Sequence, residues 1–243
     1  MAIGRFLLQM CGWLVGLPLE VLIIVALVRG PYRRYPLVLL YMAASFVTTL
    51  VEIPVIARGW IIHEATVTRQ AAIVYWVDEW ILNVLVFATV LSLVNQAISL
   101  SRRRRAMRAA LTGGAILFAA ISFLINYRPP PEKFGVWMTP WTRDLHFCGS
   151  GLDLVLWTIL IAARQKDRQL LLVSGALGMH FAGEAIGEAL VNLALPNTGR
   201  ALSLTGSAVD MVADLACFYV LWQTFRSASD RTPSMPSQKR SRG

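Results

Sequence analysis

Residues 178–188 read Gly178-Met179-His180-Phe181-Ala182-Gly183-Glu184-Ala185-Ile186-Gly187-Glu188. They lie inside an otherwise apolar run from Leu170 to Leu195, long enough to cross a bilayer as a helix at about 1.5 Å per residue. His180, Glu184 and Glu188 recur every fourth position, so a helix gathers them into one polar stripe. Gly183 and Gly187 form a small-xxx-small face beside that stripe, against which a second helix backbone packs closely. Ionisable groups at such depth are expensive in hydrocarbon, so the stripe must face protein or a water-filled cavity.

Working outward, the whole chain has the same character. Of its 243 residues, 56% are apolar and only 15% are charged, against about a quarter charged in a typical soluble domain. Repeated apolar runs of about 20 residues or more make it a polytopic membrane protein of the all-α class. Seven spans are expected: Phe6–Val28, Pro36–Ala57, Ala71–Leu100, Ala106–Ile125, Leu145–Ala163, Leu170–Leu195 and Ala201–Phe225. They form a single transmembrane domain over residues 1–226. The remainder, 227–243, is a Ser-, Pro- and Arg/Lys-rich tail of the composition that stays disordered. The first run is too long for a signal-peptide core and no small-residue cleavage site follows it, so it is read as a retained helix. The third run is long for one crossing, and tilt or a cytoplasmic overhang is expected of it.

The net charge of +9 is distributed between the runs, which argues for orientation and lipid contact and against nucleic acid. Sixteen Lys and Arg fall in the Arg29–Arg34, Arg102–Arg108 and Arg164–Arg168 regions and the tail, against seven on the opposite side. The positive-inside rule therefore places the N-terminus outside and the C-terminus in the cytoplasm. Arg102, Arg103, Arg104 and Arg105 form a juxtamembrane cluster suited to anionic lipid. The loop Asn126–Asp144 carries Pro129, Pro130 and Pro131, which favour an extended chain, and Trp137 and Trp141, which fit the headgroup level. Cys11, Cys148 and Cys217 lack CxxC spacing and read as small buried hydrophobes.

Polar stripes recur in nearly every span. Gln9, Trp13, Gly16 and Glu20 share a face of the first, and Tyr41, Ser45, Thr48 and Glu52 of the second. Tyr75, Glu79 and Asn83 mark the third, His146, Ser150, Asp153 and Trp157 the fifth, and Ser203, Ser207, Asp210 and Asp214 the seventh. The fourth has no ionisable residue in its core. Nine of the fourteen acids lie within spans: Glu20, Glu52, Asp78, Glu79, Asp153, Glu184, Glu188, Asp210 and Asp214. Leaving them ionised and unpaired at about 3 kcal/mol each would total on the order of 20 kcal/mol, more than a domain's usual stability. Protonation, a hydrated cavity, a bound metal or other cation, or hydrogen bonds to neighbouring side chains must compensate. Glu52, Asp78, Glu79 and Glu188 belong to the outer third and the other five acids to the middle, which fits an acidic vestibule opening outward.

Two ligand chemistries follow from this set. Glu20, Glu52, Glu79, Asp153, His180, Glu184, Glu188, Asp210 and Asp214 are candidate ligands for a small cationic or polar molecule, held by a receptor or carrier without enzymatic activity. The alternative is a metal-dependent intramembrane hydrolase, with a divalent metal on His180, Glu184, Asp210 and Asp214 and His146 assisting. A retinal-type sensor is excluded because Lys133, Lys166 and Lys239 all lie outside the spans. Hydrolytic triads, phosphate loops and dinucleotide fingerprints are absent.

Pro31-Tyr32-Arg33-Arg34-Tyr35-Pro36 leading to Tyr41, and Tyr75-Trp76 followed by Glu79, resemble a family of uncharacterised bacterial seven-helix integral membrane proteins of acidobacterial type. The resemblance is best over the first three spans. It implies a bacterial inner-membrane location and the seven-span topology, and it carries no activity.

Overall fold

The computed structural model describes residues 2–62, 65–98, 104–127, 134–162, 167–193 and 199–229. Every element in them is an α-helix: α1 (Ala2–Arg29), α2 (Pro36–Ile62), α3 (Ala65–Ile98), α4 (Arg104–Asn126), α5 (Phe134–Ala162), α6 (Arg168–Asn192) and α7 (Gly199–Ser229). All seven are long and apolar enough to cross a membrane. Their outward surfaces are studded with large apolar side chains such as Leu14, Leu117, Leu124, Leu154 and Val212. A surface of that kind is stable against lipid and not against water, so the chain is a multi-pass membrane protein whose perimeter contacts the bilayer.

Local chemistry sets the helix ends. Gly30 and Pro31 stop α1, the Arg34 and Tyr35 amides turn back onto the Pro31 carbonyl at 2.8 and 3.2 Å, and Pro36 opens α2 with its fixed φ. Asp167 caps α6 by accepting from the Leu170 amide at 3.2 Å, and it also pairs with Arg34. One carboxylate thus ties the α1–α2 turn to the start of α6 at the same end of the bundle.

Helices α1, α2, α3, α6 and α7 form a ring, in which α6 and α7 share the most extensive contact and α7 closes onto α1. Helix α5 packs behind α3 and α6, and among the described residues α4 touches only α3 and α5. Only 11% of the α4 span is buried against protein, which accounts for the absence of ionisable residues from its core. The ring has two unlike halves. Toward the end that holds the Arg34–Asp167 pair it is filled by Ile23, Leu27, Tyr35, Met42, Leu170, Leu221 and Phe225, all nearly inaccessible. Toward the opposite end the same helices carry the polar stripes.

Several boundaries differ from the sequence expectation. Helix α5 starts at Phe134, so the second part of the Asn126–Asp144 loop is helical and not extended. Trp141 is no headgroup anchor: it is buried on Phe123, and its indole N–H donates to the Ala119 carbonyl at 3.2 Å. An indole inside a bundle needs such an acceptor, and α4 supplies one at its lipid-poor face. Helix α3 runs for 34 residues from Ala65, starting before the expected Ala71. Helix α7 runs to Ser229; Arg102, Arg103, the Pro129–Pro131 run and the tail from 230 to 243 lie outside the described residues, as do the side chains of Tyr75, Arg104 and Trp137.

Candidate functional site

The polar half of the ring encloses a cavity of about 680 Å³, within the range of small-molecule sites. Eight carboxyl side chains line it: Glu20 from α1, Glu52 from α2, Asp78 and Glu79 from α3, Glu184 and Glu188 from α6, and Asp210 and Asp214 from α7. Among the described residues, His180 is the one basic side chain in the lining, with no Lys or Arg beside it. The cavity begins level with Leu8, Glu52, Val191 and Ser203 and ends against Tyr41, Leu215 and Phe218 near midspan. Asp214 shows what this does for a charge at depth: its side chain is 36% accessible although it sits halfway along α7.

Helix periodicity places these groups. Glu20 stands opposite Ser45, whose hydroxyl donates to Glu20 Oε1 at 2.5 Å. Glu20 is only 3% exposed, and its second oxygen, Oε2, has no partner. Two turns along α2, Glu52 faces Asp78, with Thr48 beside it. Neighbouring carboxyls disfavour ionising together. Asp78 leaves its own Oδ1 unpaired, as Glu188 does Oε2 and Asp210 does Oδ1.

A connected chain of polar groups runs through the centre. Asn83 donates from Nδ2 to Glu79 Oε1 at 3.1 Å, which leaves its Oδ1 as an acceptor facing His146 Nε2 at 2.5 Å. His146 therefore carries a proton on Nε2, and its Nδ1 pairs with Glu184 Oε2. Glu184 Oε1 lies 3.7 Å from His180 Nε2, and His180 Nδ1 lies 2.5 Å from Asp214 Oδ1. Tyr41 packs its ring 6.4 Å from that of His180. One proton must sit in each of the His146–Glu184 and His180–Asp214 contacts, whichever partner owns it.

Of the residues expected at the site, Glu20, Glu52, Glu79, His180, Glu184, Glu188, Asp210 and Asp214 converge on the cavity. Asp153 does not. Its Oδ1 accepts from Ser174 at 2.5 Å and its Oδ2 rests against Gly178, so it is a buried link between α5 and α6. His146, expected near an outer end, lies three turns into α5, 3% exposed, beside Glu184. The earlier start of α5 is the reason. Asp78 joins the site because the cavity is wide enough to take neighbouring positions of α3; its adjacency to Glu79 is the signal the sequence offers.

His180, Glu184, Asp210 and Asp214 share the cavity as the metal reading requires. Among the described residues, however, no three His, Cys, Asp or Glu donors converge on a point that would hold a metal ion. Both His180 nitrogens face separate carboxylates, which spreads the donors along the helix pair instead of focusing them. Cys217 is buried and Cys148 is half-buried, whereas Cys11 is exposed, contrary to the buried reading.

The Gly183 and Gly187 face meets α7. A Cβ at Gly187 would stand 2.9 Å from the Gly206 carbonyl and 3.1 Å from the Asp210 Cβ, and one at Gly183 would collide with Ala213. This close approach brings the acids of α6 and α7 to one wall. At about 6 Å separation two ionised carboxylates repel by roughly 3 kcal/mol at an effective dielectric of ~20, so eight bare charges cannot coexist here. No family model, no curated protein and no solved structure matches this chain.

Proposed function

We propose that this protein is a bacterial inner-membrane receptor or carrier that binds a small cationic molecule in the acidic cavity, with the cavity mouth facing outward. The observation that carries the reading is the charge balance of the lining: among the described residues, eight carboxyls, one imidazole and no Lys or Arg. The buried, unpartnered Oε2 of Glu20 gives that excess a point of attachment. An ammonium group there would gain charge-assisted hydrogen bonds and relieve the mutual repulsion of the acids. Anionic ligands meet the opposite balance. The excess of Lys and Arg at the turns beyond the apolar half supports a cytoplasmic placement of that half.

Thermal unfolding of the detergent-purified protein with amine hydrochlorides tests this. A hundredfold excess of ligand over its Kd adds about 2.7 kcal/mol, which raises Tm by roughly 5–10 °C in a chain of this size. The rise should shrink in Glu20→Gln, which removes that point of attachment. Equal rises with sodium carboxylates, or none with any amine, would sink the reading.

A further inference from the structure

The two most buried unpartnered carboxylates of the cavity stand at different depths. Glu20 Oε2 belongs to the inner end, fixed there by the Ser45 hydroxyl on the other oxygen. Asp78 Oδ1 belongs to the outer end, where Thr48 and Glu52 of α2 line the same wall. Both residues are nine-tenths or more buried, at 3% and 9% exposure. Thr48 and Glu52 follow Ser45 by about one and two turns of α2, so the two free oxygens are separated along the bundle by roughly 5–10 Å. Leu17 lies one turn outward from Glu20, and Leu82 one turn inward from Asp78; both line the wall at intermediate depth. The acid at that intermediate depth on α6, Glu184, is already engaged by His146 and His180. The cavity therefore presents an acceptor, an apolar stretch and a second acceptor in sequence.

We propose that the ligand is a linear molecule with a cationic amino group at each end, an α,ω-diamine or polyamine, bound with one ammonium on Glu20 and the other on Asp78. Its methylenes lie along Leu17 and Leu82. This rests on the cation-binding reading and adds the shape of the ligand. A single ammonium satisfies one free oxygen and leaves the other buried without a partner; a diamine of matching length satisfies both. Tethering also makes engagement of the second end intramolecular, which raises affinity without new contacts.

The experiment is isothermal titration of the purified full chain with butylamine and with α,ω-diamines lengthened one methylene at a time from trimethylene to decamethylene. Affinity is expected to peak between the tetramethylene and hexamethylene diamines, at least tenfold above butylamine. In Glu20→Gln and, independently, in Asp78→Asn, that advantage should fall to within about twofold of the monoamine; either variant suffices if the other fails to fold. Butylamine binding as tightly as every diamine, or affinity independent of chain length, overturns the inference while leaving a cation site standing. Absence of binding by any amine removes both.

Discussion

At the residue scale, burial decides what each polar group does. The i, i+4 spacing of His180, Glu184 and Glu188 makes their common stripe legible in the sequence, since helix geometry alone aligns them. The partners of that stripe are not legible there: His146, Asn83 and Glu79 reach Glu184 through a chain of contacts between different helices. Tyr35 offers a test outside the spans. It is 2% exposed and its hydroxyl has no partner, so Tyr35→Phe should raise stability by about 1 kcal/mol. Burial pushes that hydroxyl up to about 12 from 10.0, against the pull of the neighbouring Arg34 guanidinium. The unfolded chain therefore releases the proton first, and Tyr35's share of stability is lost as pH rises from 10 through 12. Denaturation followed across that window should show a smaller alkaline loss in Tyr35→Phe; an identical loss would refute the assignment.

At the element scale, the α6–α7 contact organises the site. Gly187 and Gly206 face each other so closely that a Cβ on Gly206 would stand 2.6 Å from the Gly187 carbonyl. Gly187→Leu should then force the helices apart and destabilise the fold by at least about 1–3 kcal/mol, together with loss of amine binding. Gly113 on α4 has open space around it, and Gly113→Ala should be neutral or gain up to about 1 kcal/mol. Comparable Tm losses in the two variants would contradict the distinction. The glycine spacing announces a close contact, but the identity of the opposing helix comes only with the packing. In the same way, the fifth span is expected from Leu145, whereas α5 begins at Phe134 and carries Pro140 within it. Trp141, Leu145 and His146 all find buried places when that segment is helical.

At the scale of the whole molecule, the division of the ring into a polar and an apolar half gives the protein a direction. With Cys11, Cys148 and Cys217 replaced by Ala, cysteine placed at Ser203 or Glu188 should react with a membrane-impermeant maleimide added outside intact cells. Cysteine at Leu221 should not react from either side, because that position is sealed in the apolar half. Labelling of Ser203→Cys only after the cytoplasmic face is opened would reverse the proposed orientation.

Composition and hydrophobic runs are sufficient for the all-α class, the seven helices and the inward location of most of the acids, because lipid tolerates neither unpaired backbone nor charge. Those constraints act on each segment separately, so one segment at a time reveals them. Which acids meet, that Asp153 stands apart, and that His180 bridges two carboxylates instead of gathering metal donors depend on rotation and neighbour choice among helices. Between apolar helices in lipid these are settled by close packing of small residues and by interhelical hydrogen bonds, interactions that arise only once the ring has closed.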